Sequence, residues 1–177
     1  MLTKIDIEKY FVAEKQESLL FLIIGIIAIT CSIILITLSK TNFWKGIAVP
    51  LILIGLIQVI VGYTVYNRCD ADRANNVYAF DMNPQLLQQK ELPRMEVVNK
   101  NFVLYRYIEI SLVIIGLFLI VKCRNNAITT QSWGGTAFWY GLGISLVAQS
   151  LIMLGADYFA EKRAIIYTKQ LVAFTKK

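Results

Sequence analysis

The chain has 177 residues, 56 % of them apolar and 17 % charged, with 18 Lys and Arg against 12 Asp and Glu for a net charge of +6. So apolar a balance argues against an ordinary soluble domain, and basic residues so interleaved with acids do not make a nucleic-acid-binding face. Histidine is absent, which removes the commonest general base and the commonest nitrogen ligand. No cofactor motif or metal-ligand spacing takes its place, so no cofactor and no metal are expected.

Thr3 and Asp6 form a helix-capping pattern at the start of the chain. Ile7 and Phe11 then share one face of an amphipathic stretch that leads into the first charge-free run. A bilayer core takes roughly 20 apolar helical residues, and helices satisfy their own backbone there. Four runs meet that need, predicting membrane spans over 18–38, 47–66, 107–121 and 136–159. The third reaches full length only if Glu109 lies at the interface or faces protein. The first run is longer than a signal-peptide core of about 7–15 residues, follows four acidic residues and lacks a small-residue cleavage site, so it reads as a retained helix.

Ser39 to Gly46 reads as a short outer turn, with Phe43 and Trp44 at headgroup depth and Pro50 in the first turn of the next helix. That second helix should continue to Phe80 and break at Asp81-Met82-Asn83-Pro84. A short helix is expected over 85–92, and Pro93 should end it and open a long helix to Lys122. Asn125 to Gly135 reads as a second outer turn. The last helix carries Gly141, Gly143, Ser145, Ala148 and Ser150, small enough for close helix approach, and should run to Phe174.

Much of this is written twice. Lys9, Phe11, Val12, Lys15, Ile23, Ile24 and Gly25 recur 91 positions later as Lys100, Phe102, Val103, Arg106, Ile114, Ile115 and Gly116. Phe43-Trp44-Lys45-Gly46 recurs as Phe138-Trp139-Tyr140-Gly141, Gln58 as Gln149, and Arg73-Ala74 as Arg163-Ala164. The expected fold is an all-α membrane protein of two tandem hairpin repeats, residues 1–80 and 94–177, joined by a cytoplasmic linker over 81–93. Two spans per copy keep the copies parallel about a pseudo-twofold along the membrane normal, with the helices extending into the cytoplasm as a four-helix bundle. Basic residues divide 14 to 4 in favour of the termini and the central segment. The positive-inside rule then places both termini and that segment in the cytoplasm of a bacterial-type inner membrane.

Cys31, Cys69 and Cys123 are far apart in the chain and suggest no disulfide framework. Gln58 and Gln149 form a candidate intramembrane polar pair, for helix–helix hydrogen bonding or a symmetric site. Glu109 and Asp157 are acids at the membrane margin, for an ion-pair cluster or a path through the bilayer. Arg68, Asp70, Asp72, Arg73, Glu161, Lys162 and Arg163 form a candidate cytoplasmic docking face, or a solvated helix surface with local pairs.

With so little catalytic chemistry, the reading is a non-enzymatic protein that binds a protein partner at the membrane, as a complex subunit or an immunity-type inhibitor. A homo-oligomer is a further possible state, and no nucleic acid is expected. The alternatives are a small channel or transporter, or a lipid-acting enzyme using Tyr63, Tyr66, Cys69 and Asp70.

Overall fold

A computed structural model describes residues 2–124 and 135–175. The expected second outer turn therefore falls outside the described residues, apart from its last position. The described chain is helical and contains no strand. Its elements are α1 (Lys4–Leu38), α2 (Asn42–Met82), α3 (Pro84–Leu86), a π-helical turn (Leu87–Glu91), α4 (Leu92–Cys123) and α5 (Thr136–Thr175). The continuous stretch Pro84–Cys123, together with α1, α2 and α5, gives four helices long and apolar enough to cross a membrane, with best-window mean hydropathy from 1.6 to 3.1. This architecture is compatible with a multi-pass helical membrane protein.

The first helix starts where its cap dictates. Thr3 N–H donates to Asp6 Oδ2 at 2.9 Å and Asp6 N–H donates to Thr3 Oγ1 at 3.2 Å, a reciprocal capping box with Asp in the usual Glu place. These Thr3 hydrogen bonds also hold the Asp6 carboxyl below its ordinary range.

Two expectations about helix ends need correction. The outer turn after α1 does not extend to Gly46, because α2 begins at Asn42. No proline lies between Asn42 and Val49 to stop the helix, and Gly46 packs on backbone from within it. A Cβ there would strike the Phe138 carbonyl, as one on Gly141 would strike that of Phe43. Pro50 consequently lies inside α2 rather than in its first turn, where it has no N–H to give the Gly46 carbonyl.

The second correction concerns Pro93, which does not separate two helices. Its ring cannot follow an ordinary α-turn without crowding the carbonyl four residues back. The chain takes a π turn just ahead of it, with Leu92 N–H donating to the Leu87 carbonyl, and passes into α4 without a break.

Burial along each long helix recurs every seven residues. Phe11, Ser18, Gly25 and Ser32 line the enclosed seam of α1, and Ala48, Gly55, Gly62, Cys69 and Asn76 that of α2. Met95, Glu109, Gly116 and Cys123 are buried on α4 with Phe102 half-buried in step, while Gly143, Ser150, Ala164 and Leu171 are buried on α5. A seven-residue period is the mark of long helices packed at shallow angles.

The chain divides into two compact units. A charged unit comprises Met1–Leu20, Gly62–Arg106 and Ala156–Lys177; an apolar unit comprises Phe21–Val61 and Tyr107–Gly155. The charged unit has a core that includes Ile7, Tyr10, Phe11, Leu87, Met95, Tyr167 and Leu171. Phe80 and Phe174 stack beside it with ring centroids 5.1 Å apart.

The apolar unit is held by glycine crossings. A Cβ on Gly25 would lie 2.7 Å from the Gly55 carbonyl oxygen, and one on Gly116 would lie 2.9 Å from that of Gly143. Small residues permit this approach where lipid removes the hydrophobic drive between helices.

Candidate functional site

A connected cluster of charged and polar side chains lies within the charged unit. Glu91 ends the π turn and is only 4 % exposed. Arg94, one turn later on α4, donates to it from Nε at 2.8 Å and from Nη2 at 2.7 Å, a two-pronged guanidinium–carboxylate pair. Asn76 of α2 donates to the same carboxylate at 3.3 Å. From α1, Glu14 faces Arg68 at 3.2 Å and Arg94 at 3.9 Å. The Arg94 guanidinium also lies over the Phe11 ring, 5.3 Å from its centroid.

Beside this cluster the Tyr10 and Tyr167 rings stack 4.3 Å apart. Burial, with the neighbouring acids, pushes both phenols well above their ordinary range and keeps them protonated. Burial also raises the Glu14 carboxyl, and Arg94 and Arg68 pull it only part of the way back. For Arg94 burial opposes the charge, but the Glu91 hydrogen bonds and charge outweigh it and hold the guanidinium firmly ionised.

Further interhelix pairs surround the cluster. Lys15 binds Asp70, Arg106 binds Glu161, Arg163 binds Glu17, and Lys4 meets Asp81. Six of the seven docking-face candidates thus carry ion pairs inside the unit: Arg68, Asp70, Asp72, Arg73, Glu161 and Arg163. Lys162 is exposed and forms no ion pair among the described residues.

The four residues weighed for lipid chemistry do not form one reactive centre. Tyr63 is exposed, whereas Cys69 is fully buried. Burial, then the Glu14 charge, pushes the Cys69 thiol up to about 12, so it is not a thiolate nucleophile near neutrality. Asp70 is bound to Lys15, whose ammonium also lies over the Tyr66 ring at 4.7 Å. Among the described residues no three His, Cys, Asp or Glu groups are placed to hold a metal ion.

In the apolar unit, Gln58 and Gln149 are both buried, with amide oxygens that have no hydrogen-bond partner among the described residues. They stand at different heights along their helices, three residues past Gly55 and six past Gly143. Ser145 and Ser150 add two more buried hydroxyls without partners among the described residues. Glu109 is 3 % exposed and belongs to the apolar unit, whereas Asp157 is half-buried and belongs to the charged unit.

Sequence reasoning missed the Glu91–Arg94–Glu14–Arg68–Asn76 cluster. A signal was present: Glu14 falls between Phe11 and Ser18 on the buried stripe of α1, and Asn76 lies on the seven-residue seam of α2. No protein-family model, no curated protein and no solved structure matches the chain.

Proposed function

We propose that this is a non-catalytic, multi-pass protein of a bacterial-type inner membrane that binds a protein partner through a cytoplasmic helical surface, as a complex subunit or an immunity-type inhibitor. We further propose that it consists of two parallel copies of one hairpin, residues 1–80 and 94–177, with residues 81–93 as a cytoplasmic linker and both termini on that side.

The hairpin duplication is supported by matched contacts. Lys15–Asp70 and Arg106–Glu161 are the same interhelix bridge, each spanning 55 positions and displaced by 91. The enclosed α1 positions Phe11, Ser18, Gly25 and Ser32 map onto Phe102, Glu109, Gly116 and Cys123 at that same displacement. The copies have diverged at the other helix of each hairpin, because the glycine facing Gly25 is 30 positions on while that facing Gly116 is 27 on.

The observation that carries the functional reading is the internal pairing of the charged unit. Its ion pairs tie helix to helix, which suits a rigid scaffold presenting an outer face more than a reactive pocket. Cross-linking in native membranes followed by mass spectrometry tests it. A stoichiometric protein partner is expected; recovery of the uncomplexed monomer alone would overturn the reading.

One observation favours a channel or transporter instead: Gln58, Gln149, Ser145 and Ser150 keep unpartnered oxygens inside the apolar unit, where polar groups are costly and often functional. Ion or solute flux into proteoliposomes that Glu109→Gln abolishes would favour this second reading. Flux equal to that of empty vesicles would remove it.

A further inference from the structure

Between α4 and α5, within the charged unit, runs an open groove of about 440 Å³ walled by Asn99, Ile165, Thr168, Lys169, Val172 and Ala173. The Asn99 amide donates to the Thr168 hydroxyl at 2.8 Å, and that hydroxyl donates to the Ala164 carbonyl. These two polar side chains are therefore turned onto the protein, and the groove presents mainly aliphatic surface. Ile165 and Val172 lie seven residues apart on α5, and so do Lys162 and Lys169. An apolar stripe and a basic stripe consequently run side by side along the helix. Lys100, next to Asn99, adds a cation on the α4 side.

Lys100, Lys162 and Lys169 are all exposed, and none forms an ion pair among the described residues. By contrast, seven acids of the same unit are paired within it. Glu96, exposed one turn before Lys100, offsets that cation on the α4 side, so the uncompensated positive charge is that of Lys162 and Lys169 along α5, and it is left for something outside the chain.

We infer that the groove receives an amphipathic helix of the partner, one that lays an apolar stripe on Ile165 and Val172 and sets acidic residues seven positions apart against Lys162 and Lys169. The inference rests on the partner-binding reading above and gives that partner a chemistry. Charge complementarity selects an acidic ligand, and at Lys169, though not at Lys162 about 4.5 Å past Phe159, position selects protein over lipid. Lys169 lies ten residues beyond Phe159, about 15 Å along the helix. A headgroup layer extends only about 5–7 Å beyond the hydrocarbon core on each side. Two turns of apolar stripe also match the way a helix seats in a groove, through anchors three, four and seven residues apart.

The test uses the full chain in nanodiscs of zwitterionic lipid and a fluorescent synthetic helix of three heptads, with Leu at the core positions and Glu beside them. The helix is expected to bind, to weaken at least tenfold against the Lys100→Glu/Lys169→Glu variant, and to weaken similarly against Val172→Glu. A version with Lys in place of Glu should prefer the charge-reversed variant. Equal binding of the acidic and basic helices, or equal binding to wild type and both variants, would overturn the inference. So would displacement of the helix by anionic lipid added to the disc, which would make the groove a lipid site. A dimer in zwitterionic discs that Lys100→Glu/Lys169→Glu dissolves would hand the groove to a second copy of the chain. Cross-linking separates this inference from the reading beneath it. A native partner still captured by the Lys100→Glu/Lys169→Glu variant refutes the groove alone, whereas no partner on the wild type refutes both.

Discussion

Glu91 shows what an enclosed charge demands of its neighbours. Its carboxylate is nearly cut off from water and is matched by the Arg94 guanidinium through two hydrogen bonds. Removing only the acid leaves that guanidinium enclosed without its main partner. Glu91→Ala is therefore expected to cost about 3 kcal/mol of stability. Glu91→Leu combined with Arg94→Met removes both charges and should recover most of the loss. Thermal unfolding in detergent compares them; single and double variants melting alike would show that the pair is not the stabilising feature. Glu14 makes a prediction in pH. Burial raises its folded-state value above the ordinary 4.5, so the folded protein holds this proton to higher pH than the unfolded chain does. The contribution favours folding below that ordinary value and is lost as pH rises through the raised one. Glu14→Gln cannot ionise. Its melting temperature should gain on that of the wild type as pH increases from about 4.5 upward, and a constant difference across a pH series would contradict this.

At the scale of the helix, the glycines divide by what surrounds them. A Cβ on Gly25 would meet the Gly55 carbonyl oxygen, and one on Gly116 would meet the Gly143 carbonyl oxygen and Val147. Backbone cannot swing aside as a flexible side chain does. Gly25→Ala or Gly116→Ala should thus cost about 1–3 kcal/mol. Gly155 has nothing within 4 Å of its Cβ position, so Gly155→Ala should be neutral or gain up to about 1 kcal/mol from helix propensity. Melting curves of the three variants check the ordering, and a loss at Gly155 as large as at Gly25 would refute it. The long helices were legible because they depend on local features: uninterrupted apolar runs, the Thr3–Asp6 cap and the break at Asn83-Pro84. The start of α2 at Asn42 and the enclosure of Glu14 were not, because the residues packed against them are distant in sequence, and the π turn was not, because a proline can be absorbed by a local π turn as well as end a helix. Gly46 packs directly on the Phe138 backbone, and Glu14 is tolerated on an apolar stripe because Arg68 and Arg94 arrive from other helices. The candidate site was less legible for the same reason. Residue types announced charge pairs, but only packing decides which charges meet.

For the whole molecule the leading question is orientation in the bilayer. Lys and Arg near the ends of apolar spans resist transfer across the membrane, so the side richer in them stays in the cytoplasm. By that bias the proposed orientation has 14 basic residues on the side of the termini and the 81–93 segment, which would lie inside, against 4 on the opposite side. Only Ser39, Lys40 and Thr41 separate α1 from α2, so Lys40 sits at a tight reversal and reports one face of the membrane. Gln88, exposed in the π turn, reports the other. In a background with Cys31, Cys69 and Cys123 replaced by Ala, a cysteine at position 40 should react with a membrane-impermeant maleimide on intact cells. A cysteine at position 88 should react only after permeabilisation. The opposite pattern would invert the topology and move the groove lined by Ile165 and Val172 out of reach of a cytoplasmic partner. Reaction of both positions from outside would mean that α2, the long helix between them, does not cross the bilayer, and the paired-hairpin architecture would fail with it.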